Sequence, residues 1–210
     1  NDAPDVDSNS ITVAEESTNT SLGLSAPTDA DGDSLTITVT GLPSLGTVTL
    51  ADGTALTNGM TLTTTELEGL EYDAPADYNG TDAVGSFTYS VDDGQGEANS
   101  VQTGSVSIGV TEINDAPDVD SNSITVAEES TNTSLGLSAP TDADGDSLTI
   151  TVTGLPSLGT VTLADGTALT NGMTLTTTEL EGLEYDAPAD YNGTDAVGSF
   201  TYSVDDGQGE

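Results

Sequence analysis

The sequence predicts an all-β protein built from two tandem Greek-key β-sandwich domains of seven strands each, the second lacking its last strand. Three observations predict this class. Residues 1–97 recur without a single change as residues 114–210. Within each copy, apolar and polar residues alternate with a period of two, as in a half-buried strand. Glycine-containing turns separate these segments, and many short strands at such spacing are typical of an antiparallel sandwich.

The repeat period is 113 residues, far longer than a solenoid unit, and it indicates whole domains in series. We expect repeat 1 to span residues 1–113 and repeat 2 to span residues 114–210. The second copy has no counterpart of residues 98–113 and hence of the last predicted strand. Either the chain is cut short there, or an equivalent strand comes from another molecule. Both explanations stay open at this stage.

The individual strands follow from segments rich in Val, Ile, Thr and Tyr, such as Leu35–Val39 and Phe87–Val91. Pairs such as Asp31-Gly32 and Asn58-Gly59 mark the turns between them. The predicted strands of one copy are 9–14, 19–25, 34–40, 46–50, 60–64, 68–73, 84–92 and 100–111. The one candidate helical turn is Thr65–Leu70.

Composition excludes several kinds of function. The chain has 37 acidic residues, a formal net charge of −37, and no Lys, Arg, His or Cys. Nucleic acid and anionic lipid are therefore excluded as partners, because both bind through basic side chains. Zinc sites lack their His and Cys ligands, and a nucleophile lacks its basic partner. Because these groups are missing, we do not expect an enzyme. No apolar run approaches the ~18 residues of a membrane span, so we do not expect membrane insertion either.

The strongest local motif is the segment Thr28–Ser34, which carries Asp29, Asp31 and Asp33 at alternate positions around a glycine. Its second copy carries Asp142, Asp144 and Asp146. Carboxylates in this pattern can converge on one hard cation, and calcium accepts six to eight oxygen ligands. The alternative is a solvated acidic turn that ends a strand. The motif is not an EF-hand loop, because its sixth and twelfth positions are Ser and Thr.

Three other acidic groups have two interpretations each. Asp92-Asp93 is either a cation ligand pair or a plain hairpin turn. Glu15-Glu16 is either a ligand pair or a polar loop after the first strand. Asp77 and Asp82 flank a turn and point either outwards or at a metal.

Taken in order, the motifs AEES, TDADGDSLTITVTG, APADYNGTD, FTYSVDDGQG and EINDAP resemble the cadherin-like repeats of large calcium-dependent RTX-type bacterial adhesins. The resemblance covers both copies almost end to end. Those repeats are extender regions of surface-attachment and biofilm proteins. In cadherins, calcium ions lie at the junctions between domains, so the resemblance implies calcium ligands at both ends of each repeat here.

Carried over position by position, the resemblance implies three ligand sets. The junction set comprises Glu15, Glu16, Asp77, Asp82, Glu112, Asn114, Asp115, Asp142, Asp144, Asp205 and Asp206. The open half of an upstream junction comprises Asn1, Asp2, Asp29, Asp31 and Asp92. The open half of a downstream junction comprises Glu128, Glu129, Asp190 and Asp195. The linker is one Asn shorter than the cadherin form, and the mid-domain motif with its Arg is absent.

The resemblance implies a calcium-stiffened extender of an extracellular adhesin on a bacterial cell surface, with identical repeats of the same chain as its neighbours. The ligand of the parent adhesin is unknown from the sequence. Two alternatives are a binding module that grips a glycan or a like domain, and an acid-rich domain tuned only for solubility in brine. A response to calcium beyond that to sodium chloride distinguishes the first hypothesis from the last.

Overall fold

The computed structural model describes residues 1–78, 80, 83–191, 193 and 197–209. The chain divides into two compact units, Asn1–Ile113 (unit 1) and Asn114–Glu210 (unit 2). Within the described residues, no helix has the length and apolar character that a membrane crossing requires.

The described part of unit 1 contains one short helix, α1, at Thr64–Glu68. Its strands are β1 Asn9–Ala14, β2 Thr20–Ser21, β3 Thr36–Gly41, β4 Thr47–Thr49, β5 Thr61–Leu62, β6 Glu71–Asp73, β7 Ser86–Asp92 and β8 Val101–Thr111. The described part of unit 1 therefore has a strand for each predicted segment. These are eight strands, one more than the predicted seven-stranded sandwich has, and β5 and β6, on either side of α1, lie in different sheets.

The strands of unit 1 form two sheets, one with the order β1-β8-β7-β3-β5 and one with the order β2-β6-β4. Strand β8 pairs antiparallel with β7 and parallel with β1, so the first and last strands of the unit are neighbours in this sheet. The predicted all-β sandwich is confirmed. Apart from the β7–β8 pair, the neighbouring strands of the larger sheet are not consecutive in the chain, as in a Greek-key arrangement.

The core of unit 1 lies between the sheets and consists of the inward-facing residues of the alternating strands. Strand β7 shows this best, because its exposure alternates along its length and Phe87, Tyr89 and Val91 are fully buried. The Tyr89 hydroxyl donates a 2.7 Å hydrogen bond to the Asp7 carbonyl. Desolvation raises the pKa of Tyr89 above its ordinary value, and the bond satisfies the one polar atom of this buried ring.

Helix α1 begins one residue before the predicted turn, because Thr63 caps it. The Thr63 hydroxyl accepts from the Glu66 N–H at 3.2 Å, and Glu66 Oε2 accepts from the Thr63 N–H at 2.7 Å. This reciprocal pair is a capping box. Gly69 ends the helix, and Leu67 anchors it in the core with no exposed surface.

Unit 2 repeats the helix as α2 at Thr177–Glu181. Its strands are β9 Thr133–Ser134, β10 Thr149–Gly154, β11 Thr160–Thr162, β12 Thr174–Leu175, β13 Glu184–Asp186 and β14 Thr201–Asp205. They form two three-stranded sheets with the orders β12-β10-β14 and β11-β13-β9.

Unit 2 differs from unit 1 in a strand that its sequence retains. Residues 122–127 repeat the sequence of β1 but do not form a strand. In unit 1, β1 pairs only with β8, and the described residues of unit 2 contain no counterpart of β8. Strand β14 is also two residues shorter than β7, because Ser86 and Phe87 pair only with β8. The first predicted strand is thus absent from the second copy for want of a partner.

Candidate metal centre

The acidic loop of unit 1 is a tight turn organised by Asp29. Asp29 Oδ1 accepts hydrogen bonds from the N–H of Asp31 at 2.9 Å and of Asp33 at 3.2 Å. Gly32 supplies the positive φ, +77°, that the turn requires. The turn starts beside Thr28, whose backbone bonds reciprocally with Asp5. One hydrogen-bonded frame therefore holds the three carboxylates.

The three carboxylates converge. One oxygen from each of Asp29, Asp31 and Asp33 lies within 4.8 Å of the others, and the same holds for the repeated set Asp142, Asp144 and Asp146. Oxygens that bind one calcium ion at about 2.4 Å lie at most about 4.8 Å apart. Each trio therefore has the spacing of one calcium coordination sphere.

Two positions in these loops keep buried oxygens without a hydrogen-bond partner among the described residues. They are Oδ2 of Asp29 and its repeat, Oδ2 of Asp142. In unit 2, Asp144 Oδ1 is a third such atom. A buried carboxylate oxygen without a partner is costly, and the chain has no basic side chain to offer one. A hard cation is the group that such oxygens fit.

The first residues of each unit bond to its acidic loop. In unit 1, the Asp2 N–H donates to Asp31 Oδ2 at 2.7 Å. In unit 2, the Asp115 N–H donates to Asp144 Oδ2 at 2.8 Å. The structure thus brings the predicted linker residues and the predicted loop residues together within each unit.

The late acidic turns join the same groups. Asn1 Nδ2 donates to Asp93 Oδ2 at 3.0 Å, and Asn114 Nδ2 donates to Asp206 Oδ2 at 2.9 Å. Desolvation raises the pKa of Asp93, but hydrogen bonds from Gln95, Asn1 and Ser100 outweigh it and lower that pKa below its ordinary value. These hydrogen bonds therefore favour the charged form of Asp93.

The pKa of Asp206 is also lowered, first by the Asn114 amide and then by the Gln208 N–H. The residues before these two, Asp92 and Asp205, end their strands and accept from the N–H two positions on, as in a plain turn. Asp93 and Asp206 make the same kind of turn bond, from Gln95 and Gln208. They differ in that their other oxygen also bonds to Asn1 or Asn114.

Glu15 is a buried carboxylate, with only 3% of its surface exposed. Its Oε2 accepts from the Tyr78 N–H at 2.5 Å, and its Oε1 accepts from the Ile113 N–H. Glu15 is thus not part of a loose polar loop. Its repeat Glu128 is exposed, and the described residues of unit 2 contain no counterpart of Ile113.

The other predicted ligands lie at the surface. Glu16 and Asp77 are exposed and have positive φ, 58° and 54°, as do their repeats Glu129 and Asp190. The Glu112 carboxylate lies so close to Gly80 that a Cβ there would collide with it. Asp82 and Asp195, together with the predicted turn residue Asn79, lie outside the described residues.

Sequence analysis did not name Gln208, whose amide donates to Asp146 Oδ2 at 2.9 Å. Its only signal in the sequence is its place two residues after Asp206.

When bound, calcium would supply positive charge to Asp29, Asp31 and Asp33, and to Asp142, Asp144 and Asp146 in unit 2.

Comparison with known proteins identifies the family of both repeats. The family described as "Bacterial Ig domain" matches residues 1–109 and again residues 114–210. No curated protein sequence matches the chain.

A search of solved structures found several chains that are similar to this one. A chaperone complex of the tip adhesion subunit of Csu pili from Acinetobacter baumannii is 12% identical, with a TM-score of 0.40, and 97% of this chain matches 99% of that one. Drosophila N-cadherin EC1-4 is 13% identical, with a TM-score of 0.41, and 96% of this chain matches 45% of it. Protocadherin gamma B7 is 15% identical, with a TM-score of 0.39, and 96% matches 49%. The chain spans about half the length of these two cadherin structures, and the family assignment rests on the sequence match alone.

Proposed function

The chain belongs to the bacterial Ig domain family, and on that premise we propose that it is a calcium-stiffened extender of a bacterial surface adhesin. The repeats would lie outside the cell, and the number of repeats would set the length of the extender. They hold a distal binding region away from the surface, as in the RTX-type adhesins that the motifs resemble. The repeats support attachment or biofilm formation mechanically and carry out no chemistry.

One observation carries the proposal. In both units, three carboxylates of one loop converge within 4.8 Å, and an oxygen of the first of them, Asp29 or Asp142, is buried without a hydrogen-bond partner in the described structure. Two carboxylates at that separation repel each other by roughly 1–3 kcal/mol, depending on the local dielectric constant. A divalent cation turns this repulsion into attraction, and oxygen-only ligands favour calcium over zinc.

Contacts of the linker residues suggest how calcium binding would stiffen the chain. In unit 1, the Ile113 N–H bonds to Glu15, and in unit 2 the Asp115 N–H bonds to Asp144. Both acceptors are carboxylates, so the position of the linker in each unit depends on the state of acidic groups. Pro117 restricts φ at the start of the second repeat. Calcium at Asp144 would fix the linker at Asp115, whereas an unbalanced charge on Asp144 would loosen it. Glu15 has both oxygens on backbone N–H groups and needs no cation.

The expected affinity fits an extracellular role. Extracellular calcium modules bind at roughly 10⁻⁴–10⁻³ M. Such a site is filled in a calcium-rich medium and empty in the cytosol, so the chain would stiffen only after export.

The first test compares melting temperatures with chelator, with millimolar calcium, with millimolar magnesium, and with sodium chloride at matched ionic strength. We expect calcium to raise the melting temperature well above that of the sodium chloride control, because specific binding to the folded state stabilises it more than ionic screening does. Equal stabilisation by calcium and by sodium chloride would favour a domain tuned only for solubility in brine.

The second test measures the maximum particle dimension by X-ray scattering with calcium and with chelator. A stiffened extender has a larger and better-defined maximum dimension with calcium. Equal scattering curves in the two conditions would contradict the proposed stiffening, even if the melting experiment detects calcium binding.

A further inference from the structure

The first and last strands of unit 1 lie side by side and run in the same direction. Strand β1 is the outermost strand of the larger sheet and pairs with β8 in parallel over its full length. Asn9 lies opposite Val106 at the start of the pair, and Ala14 lies opposite Thr111 at its end. The chain therefore enters the pair at one end of β1 and leaves it at the opposite end of β8.

This arrangement determines how the pair responds to tension along the chain. Tension pulls β1 towards its Asn9 end and β8 towards its Thr111 end, so the two strands are loaded in opposite directions along their common axis. The hydrogen bonds between two parallel strands are evenly spaced along the pair. Such loading strains all six residue pairs together, whereas pulling both strands from the same end would open the pairs one after another.

Glu15 extends the pair beyond the last residue of β1. Its N–H donates to the Thr111 carbonyl at 2.9 Å, and its Oε1 accepts from the Ile113 N–H. Its Oε2 accepts from the Tyr78 N–H at 2.5 Å, so both carboxylate oxygens are bonded within unit 1. Glu15 thus ties the end of β1 to the segment that follows β8, at the point where the chain leaves the unit.

The other end of the pair is extended by Ser8, directly before β1. Its Oγ accepts from the Ser105 N–H at 3.1 Å. Next to it, the Asp7 carbonyl accepts from the Tyr89 hydroxyl at 2.7 Å, and a Cβ at Gly104 would collide with both groups. The segment before β1 is therefore fixed to β8 and β7 at the point where tension enters the pair.

The contacts upstream of Asp7 are separate from one another. The Asp2 N–H donates to Asp31, and Asp5 and Thr28 exchange two backbone hydrogen bonds. Tension reaches these contacts in succession, because each lies at a different position along the segment before β1. They are therefore loaded one at a time, unlike the six pairs of β1 and β8.

We propose that the β1–β8 pair, extended by Glu15, is the element through which unit 1 bears tension. This load-bearing function goes beyond calcium-dependent stiffening, because it belongs to the backbone pairing of one unit and uses none of the loop carboxylates. Glu15 is a positioning residue of the pair and acts through its backbone partners. That the parent protein places the repeat under tension rests on the proposed extender function.

The test changes the direction of pulling in the same folded protein. The chain has no cysteine, so two introduced cysteines define where optical tweezers hold it. Ser8→Cys with Thr111→Cys loads the pair along its axis, whereas Ser8→Cys with Thr103→Cys pulls both strands from the same end. All three positions are exposed, and unit 2 lies outside both load paths.

In chelator, we expect unit 1 to unfold at a force at least about twofold higher along the axis, because all pairs must then break together. Thr111→Cys removes a 3.3 Å hydrogen bond from the Thr111 hydroxyl to the Val13 carbonyl. This loss lowers the force that we expect to be higher, so the comparison is conservative. Equal unfolding forces in the two directions would overturn the proposal.

Glu15→Gln tests the extension of the pair, and Glu16→Gln is its matched control, because Glu16 is the exposed neighbour. A glutamine side chain has one acceptor oxygen in place of two, so one of the two bonded N–H groups loses its partner. We expect Glu15→Gln to lower the unfolding force along the axis only, because opening from the Ser8 end reaches Glu15 last. Glu16→Gln should lower neither force.

A loss of equal size in both directions would mean that Glu15 only stabilises the fold, and it would contradict the assigned role. Calcium separates the load-bearing proposal from the extender proposal. A directional difference that appeared only with calcium would overturn the assignment to β1 and β8. A melting temperature that does not respond to calcium would instead contradict calcium stiffening and leave the directional difference in chelator unchanged.

Discussion

Single residues determine where charge is tolerated in this chain. Asp29 has two functions at once, since its Oδ1 organises the turn through two backbone N–H groups while its Oδ2 is buried without a hydrogen-bond partner among the described residues. Glu15 uses both oxygens on backbone N–H groups and is buried. A carboxylate with both oxygens bonded is stable without a cation, whereas Asp29 gains from one.

Asp29→Asn separates these two functions of Asp29. The amide oxygen can keep the turn, but the site loses one negative ligand, so we expect calcium affinity in unit 1 to fall about tenfold, or about 1.4 kcal/mol. Without calcium, stability should stay equal or rise, because one repulsive charge is gone. Melting temperatures measured across a calcium titration give both the calcium affinity and the stability without calcium.

Asp52→Asn is the matched control for Asp29→Asn. Asp52 also accepts from a backbone N–H in a tight turn, that of Thr54 at 2.9 Å, but belongs to neither acidic trio. An equal loss of calcium affinity in both variants would show that overall charge, and not the loop, governs binding.

The capping carboxylate of α1 predicts a pH dependence. The pKa of Glu66 is lowered, first by the Thr63 N–H and then by the Thr63 hydroxyl. Its contribution is therefore fully present above the unfolded-state pKa of about 4.3 and is lost as pH falls through the lower folded-state pKa. Glu66→Gln should destabilise the chain at neutral pH, and this difference should shrink in acid.

Chemical denaturation of wild type and Glu66→Gln across pH 2 to 7 checks this expectation. Glu68→Gln is the control, because Glu68 lies in the same helix but is outside the capping box. A Glu66→Gln difference that stayed constant across the pH range would contradict the assigned role of the charged carboxylate.

At the scale of elements, β8 determines the state of two other strands. It pairs with β1 on one side and with β7 on the other. In unit 2, whose described residues contain no counterpart of β8, the repeat of β1 is not a strand and the repeat of β7 is shorter. Short strands such as β1 have little stability of their own and depend on cross-strand partners.

Val106→Asn tests this dependence. Val106 is fully buried on β8, so a polar side chain there should destabilise unit 1 by roughly 2–4 kcal/mol. Val101→Asn is the control on the same strand, because half of Val101 is exposed, and it should have little effect. Thermal melting measures both, and equal effects would contradict the proposed role of β8 in the core.

At the scale of the whole molecule, the two units share their sequence but not their core. The unit 1 core includes Phe87, Tyr89 and Val91 as buried residues, whereas their repeats only pack against the edge of the unit 2 core. Less apolar surface removed from water means a smaller free energy of unfolding. We therefore expect unit 2 to melt at a lower temperature than unit 1.

Paired variants assign the two transitions. Val39→Ala and Val152→Ala each remove methyl groups from a site that is 1% exposed in its own unit, at a cost of roughly 2 kcal/mol. By calorimetry, Val39→Ala should lower only the upper transition and Val152→Ala only the lower one. A single transition that both variants shift equally would mean that the units unfold together.

The sequence by itself determined the strands of the first repeat, the turns between them, the position of the helical turn and the acidic loops. These follow from local alternation, glycine turns and capping residues, which act over a few neighbours. The sequence analysis did not identify the Thr63–Glu66 capping box, which the structure shows. Only the tertiary structure decided which carboxylate oxygens are buried, because the backbone N–H groups that enclose Glu15 belong to Tyr78 and Ile113, which are distant from it along the chain.

The clearest tertiary decision concerns identical residues. The segment NSITVA is a strand at Asn9–Ala14 and is not a strand at 122–127. Local propensity is the same in both copies, so the difference comes from β8, which lies almost 100 residues away along the chain. A strand needs hydrogen-bond partners for its backbone, and local sequence cannot supply them.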